Sequence, residues 1–325
     1  MAEPEFDALI AGGGPVGSAM ALALAGGGRR IAVVEPSTAT AGGDARAIAL
    51  SAGSVRLLEA LGVWSALAGW ATPIRRVEVS QRGHPGRARI DARDEAVTAL
   101  GWVVPLARLG AVLAQAARAA PGVDWLAPAR VHTAEPSATR LRLGLTGEAA
   151  PGAVSARLGV AADGTGSPLR QALGVGTRVH DYGQSALLVG VACGGDPHTA
   201  HERFTADGPV ALLPGGGERR TLVWTMDRER VDAFASLGGD ALAEAALARL
   251  GRSFAPLRTT AEPVSYPLRL TVAERTTLSR AVLVGNAART LHPVAAQGFN
   301  LALRDVCALA DQLHGEAERW LAPGR

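Results

Sequence analysis

Three glycine-bearing segments hold most of the residues in this chain whose types and spacing could do chemistry. The first is Gly12-x-Gly14-x-x-Gly17, preceded by the apolar run Ala8-Leu9-Ile10-Ala11 and followed by an Ala/Leu/Met helix pattern. A second β-branched run, Ile31 to Val34, then ends at Glu35. In this order Gly12 permits a tight turn, Gly14 lets a pyrophosphate approach the backbone, and Gly17 lets the helix pack closely on the strand. The helix N-terminus, opening at Pro15 and Val16, offers free N–H groups to an anion. Glu35 would accept hydrogen bonds from an adenosine ribose. The second segment is Asp163-Gly164, followed by Ser167 and Arg170. The third runs from Gly285-Asn286 through His292-Pro293 to Gln297-Gly298-Phe299-Asn300.

Taken singly, each has a plain structural explanation. Asp163-Gly164 is also a turn, Ser167-Pro168 also a helix start with proline at its first position. Asn286 is also a loop cap, and His292 a loop histidine. In a chain with 40 glycines one GxGxxG carries little weight. The strand–turn–helix–strand context gives the first segment its meaning: dinucleotide binding. The uncharged stretch from Ala8 to Gly28 is long enough for a bilayer span, but Gly12-Gly13-Gly14-Pro15 would break such a helix. The acidic residues before it, Glu3, Glu5 and Asp7, have the wrong charge for a signal peptide.

Around these segments the chain supplies enough material for one large domain or two: 325 residues, 48% of them hydrophobic. All 33 basic residues are arginine, the net charge is only +3, and no dense basic tract occurs, so nucleic-acid binding has no support. Cys193 and Cys307 lack metal-type or CxxC spacing and are expected to be free thiols in a cytoplasmic protein; no metal site is expected.

Helices are expected at Ser54–Gly62, Arg108–Ala120, Arg228–Leu237, Asp240–Arg252 and Gly298–Leu313. Strands are expected at Val123–Leu126, Thr139–Leu145, Ala153–Ala161 and Ala281–Val284, with a hairpin joining Arg76–Ser80 to Arg87–Asp91. A small-residue loop is expected from Pro36 to Asp44. From Ser185 to Asp227 the strand-like runs Leu187–Ala192, Val210–Leu213 and Thr221–Thr225 alternate with turn signals such as Gly215-Gly216-Gly217, which is antiparallel texture, and Val264–Leu270 is expected as a last strand. The fold class is therefore α/β: a Rossmann-like dinucleotide domain interleaved with a mostly antiparallel β-sheet domain. The expected division is 1–75, 100–175 and 275–325 for the first, and 76–99 and 176–274 for the second.

The three segments, in this order, resemble the flavoprotein aromatic hydroxylases that use one FAD and a reduced nicotinamide. The match is closer to their ubiquinone-biosynthesis branch. It runs from residue 8 to about 312 and includes Asp44–Leu50, Val79–His84, Glu202-Arg203-Phe204-Thr205, Gly208-Pro209, Tyr266-Pro267-Leu268 and Val282–Val306. The resemblance implies that Gly12, Gly14, Pro15, Val16, Gly17 and Glu35 bind the ADP half of FAD. It implies that Arg46 approaches the FAD, and that Asp163-Gly164 serves both pyrophosphate and nicotinamide. Gly285 and Asn286 would meet the ribityl chain, Asn286 standing where most of the superfamily has Asp. Asn can both accept and donate there. Pro293, Gln297, Gly298, Phe299 and Asn300 would line the flavin ring, where a helix N-terminus favours the negative charge of reduced flavin. Ala296 replaces the glycine usual in this loop.

The activity implied is that of a monooxygenase. NAD(P)H reduces FAD, O2 adds to give a C4a-hydroperoxyflavin, and a polyprenylated (methoxy)phenol is hydroxylated in ubiquinone biosynthesis. Hydroxylation of another small aromatic, or a catalytically impaired flavin-binding scaffold of a quinone-synthesis complex, are the alternatives. No acid or base is assigned; His84, His292 and Tyr266 are candidates by residue type only. A second glycine fingerprint is absent, in keeping with a single-dinucleotide-domain hydroxylase. The family continues beyond the position where this chain stops at Arg325, so a shortened chain is expected. A prenylated substrate implies contact with a membrane surface or a quinone-synthesis complex.

Overall fold

The computed structural model describes residues 5–38 and 46–315. Most of the Pro36–Asp44 loop and the last ten residues lie outside them. Two large sheets and a small third one organise the chain.

The first large sheet is built on apolar strands that need burial on both faces. Glu5–Ala11 lies at its centre, parallel to Ile31–Val34 on one side and to Ala153–Ala161 on the other. Val123–Leu126 extends it beyond Ile31–Val34, and Ala281–Leu283 lies beyond Ala153–Ala161, both parallel. Leu141–Thr146 and Arg130–Pro136 branch off as an antiparallel flap. Helices Pro15–Leu24, Leu106–Ala119 and Gln297–Gly315 cover one face through Met20, Leu24, Leu109, Leu113, Leu303 and Val306. The flap covers the other, with Leu141, Leu143 and Leu145 in one cluster with Leu9 and Ala32.

The second large sheet is mostly antiparallel. Its spine is Thr177–Cys193, which pairs with Arg219–Asp227 on one side and Val264–Ala273 on the other. Gly208–Pro214, Thr199–Thr205, Arg76–Gln81 and Arg87–Asp91 follow in that order. One junction is parallel, between Thr199–Thr205 and Arg76–Gln81. Helices Arg228–Ala235 and Gly239–Leu250 cover one face, around Trp224, Leu187, Leu212 and Val231. On the opposite face Ala200, Val77 and Leu213 pack against Ile74 and Val103, with Ala47 and Ala49 alongside. Those partners belong to the small sheet of Ala47–Ser51, Gly101–Pro105 and Thr72–Ile74.

The structure departs from the sequence expectations in extent. The run at Leu187–Ala192 is the second half of a 17-residue strand, Thr177–Cys193, whose first half is polar and mostly exposed. A bulge between Asp181 and Gln184, with Gly183 at φ +68°, breaks the alternation a strand would otherwise display. The small sheet and the strand Arg130–Pro136 are additional to the expected elements.

Candidate functional site

The three chemical segments converge because each follows the C-terminal end of a neighbouring parallel strand. The strands stand in the order Ala281–Leu283, Ala153–Ala161, Glu5–Ala11, Ile31–Val34. Beyond the ends of these strands, themselves roughly 4.8 Å apart, come Gly285-Asn286, Asp163-Gly164, Gly12–Gly14 and Glu35. Open α/β sheets bind ligands at this edge.

At the first segment Gly12 has φ +98°, and a Cβ there would lie 2.6 Å from the Ala162 oxygen. A Cβ on Gly17 would lie 1.8 Å from the Gly12 oxygen. Both glycines are thus required by close packing. Gly14 differs: nothing lies within 4 Å of its Cβ position. It caps the helix Pro15–Leu24 without any side-chain hydrogen bond, and the first turn carries no acid. The N–H groups at that terminus therefore remain available to an anion. Glu35 accepts a hydrogen bond from the Gly13 N–H at 2.7 Å and another from the Ser37 N–H at 3.0 Å. The glycine turn and the second strand are thereby tied together.

At the second segment the Asp163 side chain works inside the protein. Its carboxylate accepts hydrogen bonds from the Ser167 hydroxyl and, at 2.9 Å, from the Leu169 N–H. Burial pushes its pKa up, against the lowering effect of those bonds and of the Arg170 charge. What Gly164 presents is open backbone, at φ +87° with nothing within 4 Å of its Cβ position. Arg170 is buried and donates to the Thr165 carbonyl and to the Ala287 carbonyl, both at 2.8 Å. It therefore locks the second segment onto the third. The short turn Gly285–Ala287 also touches the first: a Cβ on Gly285 would lie 3.1 Å from both Val16 methyl carbons. Asn286 is exposed at its crest.

In the third segment the 3-10 turn Val294–Ala296 leads into the helix Gln297–Gly315. Pro293 and Gln297 are exposed, Gly298 and Phe299 are half-buried, and open space surrounds the Gly298 Cβ position. Asn300 is buried and fully engaged. Its Oδ1 accepts from the Ser51 N–H at 2.9 Å and the Ser54 hydroxyl at 2.6 Å. Its Nδ2 donates to the Ala49 carbonyl at 2.9 Å and the Ala296 carbonyl at 2.7 Å. Asn300 thus fixes the loop to the small sheet. Ala296 takes φ +50°, the left-handed region that favours glycine.

The remaining sequence candidates are scattered. Arg46 is exposed, its guanidinium 5.2 Å from the centre of the Tyr266 ring. His292 accepts from the Val294 N–H at 3.2 Å and meets the Tyr182 ring edge-on at 5.1 Å; burial lowers its pKa. His84 lies in the exposed hairpin turn. Residues that sequence reasoning passed over include Ser51 and Ser54, which receive Asn300. Trp125 is another: a Cβ on Gly13 would lie 2.5 Å from its ring. No local signal marks them, because their roles arise from pairing across some 250 and 110 residues.

The open glycine positions 14, 164 and 298, with the uncapped helix terminus, fit an extended dinucleotide lying across the strand ends. Two cavities, of about 570 and 220 Å³, are lined by Arg76 and Asp196 and by none of these segments. Among the described residues no cluster of metal-ligating side chains occurs, and no helix is long and apolar enough to cross a membrane.

A family model described as FAD binding domain matches residues 5–322. The chain is 35% identical to ubiquinone hydroxylase UbiL of Rhodospirillum rubrum, over 99% of this chain and 76% of that protein. It is 34% identical to 3-demethoxyubiquinol 3-hydroxylase of Escherichia coli, over 95% and 81% respectively. Among solved structures it is similar to p-nitrophenol 4-monooxygenase of Pseudomonas putida, with TM-score 0.79 at 19% identity, covering 98% of this chain and 83% of that one. At that identity the likeness concerns the fold, and it is the α/β fold of the FAD-dependent aromatic hydroxylases, with a parallel sheet and a mostly antiparallel one. The protein is an FAD-dependent monooxygenase, and the chain belongs to the FAD-binding family of hydroxylases related to those of ubiquinone biosynthesis.

Proposed function

We propose that the protein uses NAD(P)H and O2 to hydroxylate a polyprenylated (methoxy)phenol. The observation that carries this reading is the face opposite the cradle. There the second large sheet turns a largely apolar surface, with Val264, Leu188, Val223, Ala211, Glu202 and Val79 in register across six strands and five of the six apolar, toward the side of the small sheet that Asn300 clamps. Such a surface suits a prenylated ring better than a charged aromatic. The same reading divides the chain into an FAD unit at 1–75, 100–175 and 275–325 and a substrate unit at 76–99 and 176–274. It assigns a cytoplasmic protein that meets its substrate at a membrane surface or within a quinone-synthesis complex.

In this reading Gly12, Gly14, Pro15, Val16, Gly17 and Glu35 hold the ADP half of FAD. Gly164 offers backbone to the pyrophosphate, while Asp163 holds the turn in shape. Arg46 approaches the FAD from the side of Tyr266. Gly285 and Asn286 meet the ribityl chain, and Asn286 can both donate and accept there. Pro293, Gln297, Gly298 and Phe299 line the ring, with Asn300 as their anchor. Bound FAD supplies the redox chemistry that activates O2. The protein's part is to orient the phenol, exclude water and take up its proton.

The test is product analysis with purified, FAD-loaded protein, comparing prenylated and bare methoxyphenols. A prenylated product heavier by one oxygen, with NAD(P)H oxidation stimulated by that phenol, is expected. Oxygenation of bare phenols alone would sink the prenyl assignment in favour of a smaller aromatic. The left-handed Ala296 favours a second reading, a flavin-binding scaffold. Its mark would be FAD binding with no product from either phenol, in the parent and in Ala296→Gly alike.

A further inference from the structure

The strand Thr199–Thr205 carries a carboxylate for which the described residues offer no partner. Its odd residues, His201 and Arg203, pair with Leu212 and Val210 and so share the helix-covered face. Glu202 must then point to the other face, toward the flavin segments. Register fixes its neighbours there: Ala211 on one side and Val79 on the other, then Val223, Leu188 and Val264 in one direction and Ala88 in the other. Glu202 is the one polar side chain in that row. Two residues earlier, Ala200 packs against Ile74 and Val103 of the small sheet. That sheet's Ala49 carbonyl is clamped by Asn300 of the flavin-loop helix. Glu202 therefore lies just beyond the seam where the sheet meets the flavin side.

The side chain is half-buried and, among the described residues, makes no hydrogen bond or ion pair. Burial raises its pKa, and among the described residues no charged group on an element packed against it contributes. Glu78, Arg87 and Arg89, on the adjoining hairpin, alternate to the opposite face with His201 and Arg203. Desolvating a carboxylate without a partner is costly, and structure alone gives no return for it here. A raised carboxyl pKa lies closer to that of a phenol, which favours proton exchange between them.

We propose that Glu202 is the catalytic residue that receives the hydroxyl proton of the phenol. This rests on the reading that a phenol is the substrate. The phenolic O–H bond breaks, its electron pair stays on the ring oxygen, and the proton passes to the Glu202 carboxylate. The ring becomes electron-rich enough for oxygen transfer, and the proton returns to the oxygen of the product. The apolar row on either side gives the prenyl tail its bed.

The test uses the FAD-loaded protein, 2-geranyl-6-methoxyphenol as probe, and Glu202→Gln. Product formation is expected to fall by about tenfold or more, and the acid limb of the kcat/KM pH profile to disappear. With a ring-fluorinated probe, whose hydroxyl ionises more readily, the loss should shrink. A variant within twofold of the parent that keeps the acid limb overturns the assignment. A second measurement is independent of turnover: absorbance titration of 2-methoxy-4-nitrophenol bound to parent and variant. Its midpoint is expected to lie at least half a pH unit lower in Glu202→Gln, where the neighbouring negative charge is gone. Equal midpoints, or a parent that leaves the dye spectrum unchanged, overturn the proposal. A parent that forms no product from any prenylated phenol, yet displays the midpoint difference, counts against the substrate reading and leaves the Glu202 assignment standing.

Discussion

Replacing Ala296 by glycine is expected to stabilise the protein. Ala296 holds φ +50° at the turn into the flavin-loop helix. The backbone has no freedom to relax away from it. The Ala296 carbonyl accepts from Asn300 Nδ2 at 2.7 Å, and its N–H donates to the Pro293 carbonyl at 2.9 Å. Left-handed backbone costs an L-residue about 1–2 kcal/mol, and glycine gives back about 0.4–1 kcal/mol through its freer unfolded chain. The net gain for Ala296→Gly is about 0.5–1 kcal/mol, or roughly 0.7–1.5 °C in thermal midpoint for a chain of this size. Ala296→Val should move the other way by about 1 kcal/mol, since a β-branched residue tolerates this region least. Thermal unfolding of the FAD-loaded proteins reads both. FAD affinity should stay within about twofold, because strain present with and without the cofactor cancels from the binding equilibrium. A glycine variant that melts at or below the parent would refute the reasoning, since the left-handed turn would then cost the fold nothing.

Other perturbations follow from the same geometry. Arg170→Met strips the Thr165 and Ala287 carbonyls of a buried charged donor; a loss of about 2–4 kcal/mol should appear in denaturant unfolding, with weaker FAD binding by flavin fluorescence. Gly17→Ala forces a Cβ to 1.8 Å from the Gly12 oxygen, so soluble variant protein should carry no flavin spectrum; a normal yellow protein would show that the turn can open at little cost. Glu202→Gln should raise thermal stability at pH 8 more than at pH 4. The folded-state pKa of Glu202 is raised by burial, so ionisation is resisted in the fold and stability is lost as pH rises above about 4.3, the ordinary glutamate value, through the raised one. An equal gain at both pH values would rule out an unpaired carboxylate.

The parts of the fold legible in sequence were those written in local pattern. Ala8–Ala11, Ile31–Val34 and Ala281–Leu283 are continuous apolar runs because parallel strands buried on both faces demand them. Their strand ends carried the glycine segments, so the candidate site was legible as three pieces. What joins the pieces was not. Arg170 reaches across 117 residues to Ala287, and Asn300 across 249 to Ser51. Contacts of that separation leave no period in the chain. Glu202 was hidden for a different reason. In Thr199–Thr205 both faces carry polar side chains, so alternation did not announce which of His201, Glu202 and Arg203 points away from the helices.

The anchoring of Asn300 separates the two ends of the cofactor experimentally. All four of its hydrogen-bonding positions are used inside the protein, two toward the small sheet's strand Ala47–Ser51, one toward Ser54 and one toward the Ala296 carbonyl. Asn300→Asp keeps the shape but sets an oxygen against the Ala49 and Ala296 carbonyls, where the amide had donated. The loss of two buried bonds and the new repulsion should cost about 2–4 kcal/mol, concentrated at the flavin loop. The glycine turn and Glu35 lie on other strands and share no partner with Asn300. ADP should therefore bind the variant as it binds the parent, while FAD binds at least about 30-fold more weakly, the equivalent of about 2 kcal/mol. Calorimetric titration with each ligand reads the split. Equal losses for ADP and FAD would mean that the whole cradle moves as one body and that Asn300 holds more than the flavin end. Unchanged FAD affinity would mean that the loop keeps its place without the clamp, and Ala296 would then have no reason to remain left-handed.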